Sequence, residues 1–308
     1  MERKEVPDEP PSEPMTVKSE EPGRGARGGG GQRPAVAEVL LGAFGEVGGG
    51  RWTLERVSAG RRWLLAEVRG ENGRRAGGLA SHRSGEHGPS SAGELSELAG
   101  ASLPALEAAR LVTSPKPLRA AIGLATMNAV FADAHGAGKV PGDGVDWLLA
   151  AGRGRHVAIV GRFPFIEKEL RPAVDELTVF ELEPRTGELG PEAMAEILPR
   201  ADVVTITAST LLNHTLDGML AHLPTAGQVL LLGPSTPLCP ALFALGIHLL
   251  SGIVVTDLEK ARRDVEAGVT FRHLGGTRRV TLEVGAEPLT DHGRVEPQAD
   301  APPDSKPS

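Results

Sequence analysis

VVTITASTLLNHT (203–215) is the longest of five apolar runs that decide the fold of this chain. Each run has the length and composition of a strand and stops at a small or polar cluster. Helical patterns separate the runs, which predicts a mainly parallel sheet with helices on both faces. Ligands bind at the carboxyl edge of such sheets, where the strand order reverses. The other runs are HVAIVG (156–161), LTVFE (177–181), VLLLGPST (229–236) and GIVVTD (252–257).

The composition restricts the class of protein. With 308 residues the chain is long enough for two domains whose core needs neither disulfides nor metal, and its one cysteine, Cys239, cannot form an intramolecular bridge. A net charge of −7 and only 3% aromatic residues argue against a nucleic-acid partner. No apolar run resembles a signal peptide or could span a bilayer, so we expect a cytoplasmic protein without a membrane partner. A homo-oligomer is compatible with this composition.

The pattern along the chain predicts an α+β domain at 34–151, preceded by a disordered tail at 1–33. Asn72-Gly73 is typical of a hairpin turn, because both residues tolerate positive φ. The expected strands are 52–57, 62–68 and 76–81, followed by a loop at 81–91. The expected helices are 35–44, 92–100, 104–112 and 117–134.

A second, α/β domain is predicted at 152–276, containing the five runs. From Thr277 the periodicity fades, which predicts a mostly disordered tail at 277–308. The helices expected between the strands are 164–170, 191–198, 215–223, 240–245 and 258–267.

Asn128 stands in AAIGLATMNAV (120–130), where Thr126 is the only other polar residue. The stretch is apolar enough to be buried, and a buried amide must find hydrogen-bond partners. Asn128 therefore either closes an internal network or faces a ligand, and the two interpretations are about equally favoured.

Hydroxyl and amide side chains follow the third run of the sheet. They can cap helical N–H groups or help those groups to bind an anion, and five of them are more than capping requires. The turn Gly233-Pro234-Ser235-Thr236 repeats the arrangement one strand later, so we predict ligand contact at this edge. The five residues are Thr207, Ser209, Thr210, Asn213 and Thr215.

The first turn after a strand, Gly161-Arg162-Phe163-Pro164, lacks the three-glycine spacing of a dinucleotide fingerprint, which disfavours a standard NAD or FAD site. Glu181 comes 20 residues after Gly161, where an acid would hold ribose hydroxyls; it could equally be a solvated charge or a cap. Histidines and Cys239 are scattered without metal-binding spacing, which disfavours a dedicated zinc site. No GxSxG motif supports a covalent nucleophile.

Several motifs together resemble the DUF364 family, known as a putative heavy-metal chelation domain, with a DUF4213-type domain in front. They are GLATMNA (123–129), VAIVGRFPFI (157–166), FELEP (180–184), ADVVTITASTLLNHT (201–215), GPSTPL (233–238) and GIHLLSGIVVTD (246–257). The resemblance covers roughly residues 35–270 and implies an enolase-N-terminal-like domain followed by a Rossmann-like domain. It also implies a ligand site in the cleft between them. The site residues it implies are Asn128, Gly161, Phe163, Pro164, Glu181, Thr210, Asn213, Thr215, Gly233, Pro234, Ser235, Thr236 and Asp257.

Three hypotheses follow. The first is a protein that binds a polar small molecule or a metal chelate in this cleft, in a pathway connected with metal handling. The second is an enzyme, a transferase or lyase that depends on S-adenosylmethionine or a nucleoside. The third is direct metal binding through Cys239 and histidines, although oxygen-rich groups suit hard cations better than soft metals. A metal ion and a nucleoside-like ligand both stay open as cofactors.

Overall fold

The computed structural model describes residues 35–82, 102–136 and 142–285. The expected N-terminal tail, residues 286–308 of the expected C-terminal tail, most of the loop at 81–91 and the helix at 92–100 lie outside these residues. Among the residues described, no helix is long and apolar enough to cross a membrane.

The first sheet is antiparallel, with four strands in the order β3-β2-β1-β4. The hairpin predicted at Asn72-Gly73 is present, with φ of +80° at Gly73. The three expected strands are confirmed, each slightly longer than predicted, because cross-strand pairing continues past the apolar pattern. The strands are β1 (Trp52–Ala59), β2 (Trp63–Gly70), β3 (Arg75–Ser81) and β4 (Leu103–Pro104).

Three helices accompany this sheet: α1 (Val36–Glu46), α2 (Ala105–Arg110) and α3 (Pro117–Phe131). Helix α3 starts with proline at its first turn, where the missing N–H costs nothing. Thirteen of its 15 residues are buried, so it is a core helix and not an amphipathic surface one. It packs closely on β3, because a Cβ at Gly78 would overlap the backbone of Ala125 and Ala129.

The second sheet has six strands in the order β10-β9-β8-β7-β5-β6. The five runs form parallel strands, as predicted, and β10 pairs antiparallel with β9. After β5 the chain forms β6 on one side of β5 and then crosses to form β7 on the other side. The strand order therefore reverses between β5 and β7. The strands are β5 (His156–Val160), β6 (Glu176–Phe180), β7 (Val203–Thr207), β8 (Gln228–Leu232), β9 (Leu249–Val255) and β10 (Thr277–Glu283).

Strand β10 corrects the expectation that order ends at Thr277. Only Val280 of this strand is fully buried, and Arg278 and Arg279 give it the charged sequence of an edge strand. The apolar pattern is weak for that reason, although seven residues pair with β9.

The connections of the second sheet are shorter and less regular than the sequence predicts. They include α4 (Gly144–Ala151), α5 (Met194–Ile197), α6 (Leu216–Leu220) and α7 (Leu258–Glu266), with a π-helical turn at Ile166–Leu170 and a 3-10 helix at Pro240–Leu245. Although the sequence analysis assigned α4 to the first domain, Leu148 packs with Val157, Ile159 and Leu230 of the second sheet.

Helix α7 connects β9 and β10 of the second sheet but packs on the first one. Gly77 faces Leu258 of α7 while the neighbouring Gly78 faces α3, because successive residues of a strand point to opposite faces. The first sheet is thus covered on both faces. One hydrophobic cluster, which includes Leu64, Met127 and Leu231, joins the two sheets into a single core.

Candidate functional site

The carboxyl ends of β5 and β7 meet at the point where the strand order reverses. Gly161, directly after β5, has φ of +104°, and a Cβ placed there would lie 2.6 Å from Cγ2 of Thr207. Only glycine fits this backbone conformation and this contact. The turn after β5 therefore lies directly against the turn after β7.

The turn after β8 adjoins the same place. Gly233 has φ of +131°, and a Cβ there would lie 4.0 Å from the backbone nitrogen of Ala208. The N–H of Thr236 donates to the carbonyl of Gly233 at 2.9 Å and closes a four-residue turn in which Pro234 is half-buried. Three consecutive strand ends, β5, β7 and β8, thus form one surface, which we call the switch crevice: Gly161–Phe163, Thr207–Ser209 and Gly233–Pro234.

The hydroxyls after β7 divide into two groups. Thr207 and Ser209 are half-buried in the switch crevice, and their hydroxyl oxygens lie 3.1 Å apart. Thr210 is buried and donates to the carbonyl of Thr207 at 2.7 Å, while Thr207 is the N-cap of this short helical turn and accepts from the N–H of Ser209. Asn213 is exposed, and its Oδ1 accepts hydrogen bonds from the hydroxyl and the N–H of Thr215. This local turn gives Asn213 and Thr215 a structural role.

A small hollow lies behind Thr210, between α1 and the loop after β7. Its volume is about 10 Å³, room for a single water molecule. His214, in the left-handed region with φ of +58°, lines it and lies 2.9 Å from the carbonyl of Ser114 through Nε2. Asp217 lines it as well and accepts a hydrogen bond from the N–H of Val36.

Phe163 and Pro164 lie at the outer side of the switch crevice, with Phe163 half-buried and Pro164 exposed. The ring of Phe163 stacks on that of Phe165, with centroids 5.4 Å apart. Arg162 pairs with Glu188, and this side-chain hydrogen bond lowers the pKa of Glu188 to about 2. The carboxylate of Glu181, directly after β6, is 3.9 Å from the guanidinium of Arg162. It therefore interacts with the same positive charge as Glu188.

Asn128 and Ser235 meet where the first lobe, that is the first sheet with its helices, contacts the turn after β8. The amide Nδ2 of Asn128 donates to the carbonyls of Leu79 and Ser235, at 2.8 and 3.1 Å. The hydroxyl of Ser235 accepts from the N–H of Ser81 at 2.7 Å. Of the two interpretations of Asn128, the structure thus shows the internal network. Thr236, next to Ser235, is also buried.

Asp257 has a structural explanation. It is the N-cap of α7, and its Oδ1 accepts from the N–H of Lys260 at 2.9 Å. Aspartate is among the preferred residues at this position, because it satisfies an N–H that the helix leaves unpaired.

The sequence analysis did not identify Glu67, which is fully buried in β2. Arg262 of α7 binds it through two hydrogen bonds of 2.7 Å, and Arg75 adds one of 2.9 Å. The side-chain hydrogen bond with Glu67 raises the pKa of Arg262 above its ordinary value. A charged residue in the middle of the apolar run of β2 was the available signal, but nothing local points to a partner 195 residues away.

The residues present do not fit a dedicated heavy-metal site. No group of three or more His, Cys, Asp or Glu within the described ranges could hold an ion. Cys239 is buried, and desolvation raises the pKa of its thiol to about 11, so the thiolate that a soft metal requires is disfavoured at neutral pH. Nδ1 of His248 is already an acceptor for the N–H of Val229.

Comparison with solved structures identifies proteins of the same fold. One is a DUF364-family protein of unknown function from Desulfitobacterium hafniense DCB-2, with 28% identity and a TM-score of 0.66 over 80% of this chain and 97% of that one. Another, also of unknown function, is from Pyrococcus horikoshii, with 23% identity and a TM-score of 0.66 over 80% of this chain and 99% of that one.

A similar sequence is an uncharacterised protein of Methanocaldococcus jannaschii. It is 28% identical over 172 residues, which are 53% of this chain and 65% of that relative. The chain thus spans less than two thirds of that relative's length.

Two family models match the chain, each described as "Putative heavy-metal chelation". The DUF4213 model matches residues 46–131, and the DUF364 model matches residues 143–283. The second match includes both α4 and β10, in agreement with their packing on the second sheet. Together the two matches span well over half of the chain, which belongs to the DUF364 family and carries its DUF4213 domain in front.

Proposed function

We propose that the protein binds an anionic, nucleoside-like small molecule in the switch crevice, beside the junction between the two lobes. The observation that carries this proposal is the contact of three strand-end turns, Gly161 against Thr207 and Gly233 beside Ala208. They meet where the strand order reverses, the place where open α/β sheets bind their ligands.

Backbone donors in the switch crevice support an anionic group. The N–H groups of Arg162 and Phe163 have no acceptor among the described residues. Ser209 and Thr207 add hydroxyl groups beside them. Glycine at 161 and 233 lets a ligand approach the backbone closely. Because Arg162 is already paired with Glu188, the anion is held mainly by these dipoles.

Phe163 supports the nucleoside-like part of the proposal. Its half-buried ring stacks on Phe165 and packs against the apolar cluster that includes Leu148 and Ile159. An aromatic face of this kind can stack with a base or another flat polar group.

The description of the family supports a connection with heavy metals. Because the donor groups of the chain do not fit a dedicated metal site, we propose that a metal reaches the protein as part of a chelate with the bound molecule. The enzyme hypothesis has no described feature in its favour.

The finer features of the fold are proposals as well. The order β6-β5-β7-β8-β9 supports a Rossmann-like second lobe of the flavodoxin type. The antiparallel sheet followed by α2 and α3 is compatible with an enolase-N-terminal-like first lobe. A cytoplasmic location and the absence of nucleic-acid partners stay predictions from composition.

Isothermal titration with adenosine monophosphate (AMP) tests the site. We expect Gly161→Ala to weaken binding by about tenfold or more, because the new Cβ enters the space of Thr207 and a non-glycine residue is strained at φ of +104°. Ser209→Ala, which leaves the backbone intact, should weaken it by roughly fivefold through the loss of one hydrogen bond.

Gly187→Ala is the matched control. Gly187 also has positive φ, +87°, but a Cβ there meets nothing within 4 Å. Affinity should therefore be unchanged in this variant. If the wild-type protein does not bind AMP, or if Gly161→Ala and Ser209→Ala bind it as tightly as the wild type, the proposed site is wrong.

A further inference from the structure

The two halves of the side-chain amide of Asn128 differ in their hydrogen bonding. Its Nδ2 donates to two carbonyls, of Leu79 and Ser235, which can only accept. The amide orientation is therefore fixed, since a flipped amide would place an oxygen against both carbonyls. Among the residues that the structure describes, Oδ1 is buried without a hydrogen-bond partner, and Asn128 as a whole is only 6% exposed.

A second buried polar atom without a partner belongs to the residue after Ser235. Within the described part of the chain, the hydroxyl of Thr236, which is 2% exposed, has no hydrogen-bond partner. Asn128 and Thr236 both adjoin Ser235, one through a hydrogen bond and the other through the chain. Buried polar side-chain atoms are nearly always paired in native proteins, so two unpaired ones at one junction need an explanation.

We propose that Asn128 determines the specificity of the site for a base that carries an amino group, an inference that rests on the function proposed above. With Nδ2 engaged, Asn128 offers the ligand an acceptor and no donor. An exocyclic amino group donates to such an atom, whereas an oxo group in the same position would place two acceptors face to face. Adenine carries such a group, as do cytosine and guanine, and an adenine nucleotide is the ligand that tests this contact.

The distance between the two parts of the site fits this ligand. Gly233 lies in the switch crevice, and Ser235, two residues later in the same turn, accepts from Asn128. Neighbouring strands are about 4.8 Å apart, so the crevice between β5 and β7 is on the order of 10 Å from Asn128. A nucleoside monophosphate spans such a distance between its phosphate and its base.

The junction must open for this contact to form, since Oδ1 is shielded from solvent. Two hydrogen bonds between Ser81 and Ser235, of 2.7 and 3.2 Å, hold the turn after β8 against β3 at this point. A movement of Ser81 that breaks these two bonds, while Nδ2 of Asn128 keeps its bonds to Leu79 and Ser235, would open the junction beside Asn128.

A comparison of AMP with inosine monophosphate (IMP) tests the inference on the wild-type protein. The two nucleotides differ at position 6, where AMP has the amino group and IMP the oxo group, and at N1, which accepts in AMP and carries a hydrogen in IMP. We expect AMP to bind roughly tenfold more tightly, the discrimination typical of one well-placed hydrogen bond to a base. Equal affinities would overturn the role of Asn128 but leave the proposed function intact, whereas binding of neither nucleotide would overturn both.

Two variants separate recognition from the integrity of the junction. Asn128→Ala should bring the ratio of the two affinities to about one. Ser235→Ala, the matched control, removes the hydrogen bonds to Ser81 and keeps Oδ1 of Asn128, so both affinities should change by the same factor and the ratio should persist. A ratio that survives Asn128→Ala, or that disappears only in Ser235→Ala, would contradict the proposal.

Discussion

Replacing Arg262 by methionine should destabilise the protein, because it leaves the carboxylate of Glu67 buried with only part of its charge compensated. Glu67 is completely buried, and Arg262 supplies two of its hydrogen bonds. Breaking a buried pair by removing one partner costs about 3–5 kcal/mol. Arg75 stays 2.9 Å from Glu67, and the side chain of Arg262 is 15% exposed, so we expect a loss of about 2–3 kcal/mol in the free energy of unfolding.

Urea unfolding followed by tryptophan fluorescence measures this loss. Trp63 is a local reporter, because its indole N–H donates to the carbonyl of Val269, directly after α7, and its ring packs against Phe271. Arg200→Met is the control, since Arg200 and Glu196 form an exposed pair within one helical region. That substitution should change the free energy by less than about 0.5 kcal/mol.

The double variant Glu67→Met with Arg262→Met provides the decisive comparison. Methionine at both positions replaces the pair by apolar side chains and leaves no buried charge, so the double variant should lose less than Arg262→Met alone. A single variant within about 0.5 kcal/mol of the wild type would refute the reasoning. So would a double variant whose loss equals the sum of the two single losses.

Three further predictions concern other parts of the molecule. Gly78→Ala should cost about 3 kcal/mol in thermal or urea unfolding because the new Cβ meets the backbone of α3, whereas Gly42→Ala, on the exposed face of α1, should gain about 0.5–1 kcal/mol. Cys239 should resist a thiol reagent at pH 8 in the folded protein and react in urea, since it is buried and its pKa is raised to about 11; rapid reaction of the folded protein would contradict this. Because the pKa of Glu188 is lowered to about 2 in the folded protein, its stabilising contribution should be complete above about pH 4.5 and disappear as the pH falls toward 2. Glu188→Gln should flatten the pH dependence of stability in that window, and an unchanged profile would exclude this contribution.

The five parallel strands of the second sheet could be predicted to within a few residues from the sequence. Strands β5 and β8 are apolar after their first residue because they are buried on both faces, and this pattern is visible in the local sequence. Gly161 and Gly233, which directly follow β5 and β8, could also be placed at turns, since positive φ at a turn selects glycine in any context.

The candidate site could be predicted only in part. That polar groups follow β7 and β8 is visible in the sequence, but Thr210, Asn213 and Thr215 prove to be engaged in local hydrogen bonds, and Asp257 caps a helix. A hydroxyl that binds its own turn and one that faces a ligand have the same sequence signal.

By itself the sequence determined the parallel sheet, the hairpin at Asn72-Gly73 and the glycine-containing turns, because each depends on residues close together in the chain. Only the tertiary structure decided that α7 packs on the first sheet, that Arg262 binds Glu67, and that Asn128 joins β3 to the turn after β8. These contacts link residues from 49 to 195 positions apart. A charged or amide group can be buried at low cost only where the folded chain places a hydrogen-bond partner beside it. The position of that partner depends on the packing of the whole chain and not on the local sequence.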